Sequence, residues 1–158
     1  MFFWFIGTAV TAVWFVFHDS RFDYRLLIMG ALAADIIDAP FGGARVFHSV
    51  IGSVVVLAAV MFSTVGRRAT RRRLLALPIG TFLHLVFDGA FSATRVFWWP
   101  VAGVNFRDAP LPSWDRGWID VVLEAVGFGL CVWAVRRFGL RSAERRRHFW
   151  RTGVLEPC

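Results

Sequence analysis

Five apolar segments follow one another along this chain of 158 residues and leave little sequence for a water-soluble surface. They cover residues 2–17, 26–37, 46–65, 74–96 and 119–135. The third and fourth segments reach the roughly 20 residues that a helix needs to cross a bilayer. The second carries Asp35 and is short, so it is either a tilted span or a half-helix buried in protein. We therefore predict an all-α integral membrane bundle of four to five helices.

The composition supports one such domain. Hydrophobic residues make up 57% of the chain and charged residues only 18%, which excludes a disordered protein. We expect a transmembrane helical domain with a metal-site cavity over residues 1–135 and a basic cytoplasmic tail over residues 136–158. The first segment lacks the basic start of a signal peptide, so we expect it to be a helix of the mature protein. Two cysteines are too few for a disulfide framework.

All 18 basic residues are arginines, and they cluster beside the apolar segments. One cluster covers residues 67–73 and another residues 136–151. Because short cytoplasmic loops are enriched in arginine, both clusters predict the cytoplasmic side of a membrane. This arrangement predicts a multi-pass protein with a cytoplasmic C-terminus and membrane lipids as partners, and it argues against a nucleic-acid partner. The N-terminus lies outside if the second segment crosses, which we prefer, and inside if it re-enters.

Ionisable residues inside the apolar segments indicate a binding site, because a charge at membrane depth is costly without a partner or a purpose. At 1.5 Å per residue, His84 lies about 15 Å and Asp88 about 21 Å from the cytoplasmic end of their segment. The other ionisable groups reach the same level from their own segments. Seven candidate metal ligands result: Asp35, Asp38, His48, His84, Asp88, Asp120 and Glu124.

Carboxylates and imidazoles together suit zinc first, with manganese or iron as alternatives. One or two ions are expected, and two ions about 3.5 to 4 Å apart would suit phosphoester hydrolysis. Other interpretations stay open. His84 and Asp88 could form an ion pair in a bundle core, and Asp120 is better explained as a first-turn acid of a helix. Arg95 and Arg107 in the outer loop could clamp a substrate phosphate or only anchor to headgroups.

Several of these motifs resemble the bacterial family of membrane-bound metal-dependent hydrolases, also called the LexA-binding, inner-membrane-associated hydrolase family. The similar stretches are GALAADIID at 30–38, RVFHS at 45–49, GTFLHLVFD at 80–88 and WWP at 98–100. The resemblance implies a helical membrane protein with a metal site at Asp35, His48, His84, Asp88 and Glu124. That family is distantly similar to zinc-dependent phospholipase C and P1 nuclease, which implies hydrolysis of a phosphoester such as a lipid headgroup.

Two other classes compete with a hydrolase. In the first, the same polar cluster holds helices together or contacts a partner in a non-enzymatic membrane protein. The second is a small transport or channel subunit, which is disfavoured because no polar stripe continues from the cluster to the cytoplasmic side.

Overall fold

The computed structural model describes residues 1–18, 22–41, 43–105 and 117–157, and within them all regular structure is helical. The helices are α1 (Phe2–Phe17), α2 (Tyr24–Asp38), α3 (Val50–Ser63), α4 (Arg68–Leu74), α5 (Ala76–Phe87), α6 (Thr94–Phe97), α7 (Trp118–Arg137) and α8 (Ala143–Thr152). Three short 3-10 turns lie between them, at Ala39–Phe41, Val46–His48 and Ala90–Ser92. The predicted all-α class is therefore confirmed.

Side chains cap the starts of α2, which carries Asp35 and Asp38, and of α3, which follows His48. Asp23 precedes α2, and its carboxylate accepts a hydrogen bond from the Arg25 backbone N–H at 3.2 Å. Ser49 precedes α3, and its hydroxyl accepts from the Gly52 N–H at 3.0 Å. Such caps satisfy backbone donors that have no partner within the helix, so they fix where each helix begins.

The apolar segments predict the main helices, but two of them are longer than the helices found. The segment 74–96 contains α5, a 3-10 turn and α6, because α5 ends at Phe87 and Gly89 adopts a left-handed φ of 64°. The segment 46–65 begins with the turn Val46–His48, and α3 starts only at Val50. The basic loop at 67–73 contains the short helix α4.

Contacts along the helices define two ends of the molecule. α1 and α7 run parallel, since Phe2 meets Glu124 at their starts and Phe15 stacks on Trp133 near their other ends. α2 and α5 are also parallel and make the most extensive helix contact. The starts of α2 and α5 lie at the end that carries the arginine clusters. The candidate ligands lie toward the opposite end, which we call the site end.

Glycines allow the helix pairs to approach closely. A Cβ on Gly30 of α2 would overlap the Leu77 carbonyl oxygen of α5, and one on Gly80 would overlap the Leu27 carbonyl oxygen. The pair α1 and α7 uses Gly7 and Gly127 in the same way. Close helix contact through small residues is common in membrane proteins, where van der Waals packing between helices helps to drive their association.

The C-terminal segment is part of the helical body. Leu155 and Phe138 belong to the main hydrophobic core with residues of α1 and α2. The Tyr24 N–H donates to the Gly153 carbonyl oxygen at 2.8 Å, which joins the start of α2 to the segment after α8. Part of the tail predicted at 136–158 is thus packed against the helices, while most side chains of α8 are exposed.

Among the described helices, α7 is long and apolar enough to cross a membrane. Only 11% of its most apolar stretch of 18 residues is buried within the protein. α1 and α3 are apolar but shorter, with 16 and 14 residues. The remaining spans of the predicted multi-pass bundle are therefore not established by helix length. Large apolar side chains are nevertheless exposed on all three helices, including Val16 at 72%, Phe62 at 78% and Val121 at 70%.

Candidate metal centre

Three predicted ligands meet between α2, the turn before α3, and α5. The Nε2 atoms of His48 and His84 are 3.3 Å apart, and Oδ1 of Asp35 lies 3.3 Å from the first and 3.6 Å from the second. Ligand atoms about 2.0 to 2.1 Å from a tetrahedral zinc ion are separated by about 3.3 to 3.4 Å. The triangle formed by these three atoms therefore has the dimensions of one face of a metal coordination sphere.

The hydrogen bonds of the two histidines determine which ring nitrogens carry lone pairs. His84 Nδ1 lies 2.7 Å from the Ala31 carbonyl oxygen, which can only accept, so this nitrogen bears the proton. His48 Nδ1 lies 2.8 Å from Asp38 Oδ2 and donates to that carboxylate. In the neutral rings, both Nε2 lone pairs then face each other and the Asp35 oxygen. Such a group needs a cation, which is either a proton or a metal ion.

Asp35 contributes an oxygen that suits this role. Its Oδ1 is buried and lies 3.3 Å from Nε2 of His48 and 3.6 Å from Nε2 of His84. An ionised carboxylate in that position is stabilised only by a positive charge. The three side chains therefore suit a divalent ion or a proton held by His48 between the two carboxylates, and not a neutral hydrogen-bonded core.

Asp38 supports the centre through His48. It is 3% exposed, and its Oδ2 also accepts the Arg45 backbone N–H at 2.9 Å. A carboxylate that accepts from the outer nitrogen of a metal-binding histidine fixes the orientation of the ring and raises its basicity. Asp38 was predicted as a ligand, but the structure places it behind His48, where it contacts the outer ring nitrogen.

The three ligand atoms are enclosed, and the exposure at this centre is confined to the rest of the Asp35 side chain. His48 and His84 are each 1% exposed, whereas the Asp35 side chain is 20% exposed. The Phe5 ring covers His84 with the ring centroids 4.0 Å apart, which gives the centre an apolar wall. Two histidines and one carboxylate form a ligand set found in catalytic zinc sites, in which water or substrate takes the fourth position.

Asp88 lies outside the group of atoms that could hold one ion, although it is fully buried at the end of α5. Its four-residue spacing from His84 places both residues on one helix face, from which two side chains can bind one ion when both point toward it. The His84 ring turns sideways toward α2, where its Nδ1 meets Ala31. A shared face therefore does not bring the two side chains to the same cation.

Glu124 and Asp120 also lie outside the group. The carboxylate of Glu124 accepts the backbone N–H groups of Phe2, Phe3 and Trp4 at 3.0, 3.1 and 3.2 Å. It therefore caps the start of α1, a position where a negative charge is favourable. Asp120 occupies the first turn of α7, as its alternative interpretation predicts.

Of the two candidate phosphate-binding arginines, the structure describes Arg95. Arg95 is exposed on α6, and this helix packs against the turn that carries His48. Arg107 lies outside the described residues.

The sequence does not reveal the role of the Ala31 carbonyl, because any residue type can supply a backbone acceptor. Gly30 and Gly80 do indicate that α2 and α5 approach closely at this point.

Comparison with known proteins adds no assignment: no family model, curated protein or solved structure matches the chain.

Proposed function

We propose that this protein is a membrane-bound hydrolase that binds one divalent metal ion at Asp35, His48 and His84 and cleaves a phosphoester. The observation that carries the proposal is the triangle of three ligand atoms with separations of 3.3, 3.3 and 3.6 Å. Zinc is the first choice of ion and manganese the second, because two imidazoles join a single carboxylate. The sequence resemblance to membrane-bound metal-dependent hydrolases supports the same activity.

Each residue of the proposed centre has its own role. His48 and His84 present their Nε2 atoms, while Asp38 and the Ala31 carbonyl hold the rings in place. Asp35 supplies a negative oxygen, and its side chain is the most exposed of the three. A divalent ion held there would act as a Lewis acid and lower the pKa of a bound water to about 7. Arg95, exposed on the neighbouring α6, is placed to attract a phosphate.

A location in the bacterial inner membrane is part of the proposal. It is supported by the apolar, largely unburied α7 and by the exposed apolar side chains of α1 and α3. The arginine clusters share the end opposite the site end, as a cytoplasmic face would require. The active centre would then lie toward the external face.

The competing function is a structural centre in a non-enzymatic membrane protein. It is favoured by one observation, namely that the three side chains join α2, the Val46–His48 turn and α5 around two buried imidazoles. In that case the cation stabilises the helices and no substrate is turned over.

Turnover separates the two functions. The protein is purified in detergent, loaded with zinc or manganese, and assayed with a soluble phosphodiester and a panel of phospholipids. We expect metal-dependent hydrolysis that is lost in Asp35→Asn and retained in His148→Ala, since His148 is exposed on α8. Bound metal without turnover on any of these substrates would contradict the hydrolase and favour the structural centre.

A further inference from the structure

The end of the molecule opposite the metal centre carries a large excess of positive charge on α8 and the segments beside it. Between residues 136 and 157 there are seven arginines and two glutamates. Nearly all side chains of α8 are exposed. An exposed surface with one sign of charge in excess attracts a partner of the opposite sign.

Hydrogen bonds to the preceding turn and to α2 hold α8 in a fixed position. The Arg146 guanidinium donates to the carbonyl oxygens of Leu140 and Arg141 at 3.2 and 2.7 Å. Arg25 of α2 donates to the Trp150 carbonyl oxygen at 2.5 Å. The exposed side chains of α8 are therefore presented on a fixed support, which reduces the ordering that binding a ligand requires.

Arg147 and Arg151 keep charges that no acid of the described residues neutralises. Four residues separate them, so their Cβ atoms lie about 5 to 6 Å apart on one face of α8. Neither forms an ion pair within the described part of the chain, and Arg147 donates only to the Ala143 carbonyl oxygen of its own helix, at 3.4 Å. Like charges at this spacing destabilise a helix, and an anion bound to both would remove the repulsion.

A hollow of about 1250 Å³ lies beside these two arginines. The ionisable side chains of its lining are Glu144, Arg145, Arg147, His148, Arg151 and Glu156. Arginines outnumber glutamates there, and Trp150 and Val154 add apolar surface to the wall. A concave surface that is both cationic and apolar suits an amphiphilic anion.

Exposed apolar residues next to this end favour a lipid over a soluble anion. Phe17, the last residue of α1, is 52% exposed, and Phe62, near the end of α3, is 78% exposed. Trp150 is 69% exposed, and tryptophan is enriched where a protein passes from lipid into water. A basic surface that adjoins exposed apolar helix ends matches the anionic headgroups of a cytoplasmic leaflet.

We infer that α8 binds an anionic phospholipid, with the lipid phosphate between Arg147 and Arg151 and the headgroup in the hollow beside Trp150. The inference rests on the membrane location in the proposed function. It is independent of the metal centre, which lies at the other end of the molecule. The bound lipid would hold α8 at the surface of the cytoplasmic leaflet.

Lipid selectivity tests the site. The full-length protein, purified in a neutral detergent, is titrated with phosphatidylglycerol or with phosphatidylcholine, and bound lipid is counted by native mass spectrometry. We expect wild type to bind phosphatidylglycerol about tenfold more tightly than phosphatidylcholine. The double variant Arg147→Gln/Arg151→Gln should lose about 10- to 30-fold in affinity for phosphatidylglycerol, because two arginines no longer attract the anionic headgroup. Its affinity for phosphatidylcholine should stay within about twofold of wild type.

The double variant Arg67→Gln/Arg68→Gln is the matched control. It removes the same charge from the exposed start of α4, which does not line the hollow. This control should bind phosphatidylglycerol within about twofold of wild type. Equal losses in the two double variants, both with wild-type helical circular dichroism, would overturn the inference, because only total charge would then matter. Displacement of phosphatidylglycerol by an equal concentration of glycerol 3-phosphate would also overturn it, since the site would then bind a free phosphate ester.

Alkaline washing of membranes separates this inference from the proposed function. A protein that is released by the wash would refute the membrane location. A protein that stays in the membrane but shows no preference for phosphatidylglycerol would refute only the lipid site on α8.

Discussion

At the candidate metal centre, the position of each acid decides whether it can be a ligand or only a support. Asp35 and Asp38 are three residues apart on α2, yet Asp35 faces the Nε2 atoms and Asp38 faces the outer nitrogen of His48. Sequence spacing places both on one helix face but does not reveal this division. It depends on the turn Val46–His48, which inserts the His48 ring between the two carboxylates.

Replacing Asp38 with asparagine tests this supporting role. The amide oxygen can still accept from the Arg45 N–H, but it lacks the charge that raises the basicity of His48. We expect Asp38→Asn to lower zinc affinity by about 10- to 100-fold, the usual effect of losing such a partner. Competition with a chromophoric chelator measures the affinity, and Glu144→Gln on the exposed face of α8 is the control. An unchanged affinity would show that Asp38 does not act through His48.

Glu124 offers the opposite test, since the sequence resemblance implies a ligand and the structure shows a helix cap. Glu124→Gln removes the charge that accepts three N–H groups at the start of α1. We expect a loss of about 1 to 2 kcal/mol in the free energy of unfolding, with zinc affinity unchanged. Thermal unfolding in detergent and a chelator titration measure the two quantities. A variant that keeps its stability but binds zinc weakly would restore the ligand role.

At the scale of helices, hydrophobic patterning located the elements better than it located their ends. The segment 2–17 has the bounds of α1, and 119–135 falls within α7. The segment 74–96 did not reveal the break at Gly89, because apolar side chains continue through the turn that follows α5. An apolar run reports burial or a lipid environment, and only backbone conformation distinguishes one helix from two.

The pair α2 and α5 depends on the absence of side chains where their backbones meet. Gly30→Ala would place a Cβ against the Leu77 carbonyl oxygen and force the helices apart. Because His84 reaches the Ala31 carbonyl across this contact, both packing and the metal centre should suffer. We expect a loss of about 1 to 3 kcal/mol in unfolding free energy, together with weaker zinc binding.

Gly129→Ala is the matched control for this prediction. Gly129 also lies in a helix, but a Cβ there meets no atom of the described residues within 4 Å. Alanine should be tolerated or stabilising at that site, since it is the better helix former. If the Gly30→Ala and Gly129→Ala variants unfold at the same temperature, close approach of α2 and α5 is not what holds the centre together.

Across the whole molecule, the two ends carry different charge arrangements. The site end gathers acids and imidazoles, whereas the opposite end joins arginines to Asp23. The Asp23 carboxylate is 2% exposed and lies 2.9 Å from Arg25 and 3.3 Å from Arg73. The arginine clusters predicted which helix ends lie together, because they mark one side of the protein. They did not predict that Asp23 would join α2 to the segment before α5, since that contact spans 50 residues.

Asp23 gives this end a defined pH dependence. Burial opposes its ionisation, but hydrogen bonds from Arg25 and Arg73 outweigh burial and lower the pKa of Asp23 from 3.8. A lowered pKa means that the carboxylate stabilises the fold above pH 3.8 and that this stabilisation is lost as the pH falls further. The stability difference between wild type and Asp23→Asn should therefore shrink below this pH. Thermal unfolding across the acid range measures it, and a constant difference would contradict the ion pair.

The central claim, that two imidazoles and one carboxylate bind a single cation, is tested most directly by metal content. The protein is purified in detergent, exposed to zinc, dialysed and analysed by inductively coupled plasma mass spectrometry. Wild type and His148→Ala should each retain one zinc per chain, and His48→Ala and His84→Ala should retain none while keeping their helical circular dichroism. Zinc-free wild type, or zinc retained by both variants, would contradict the claim.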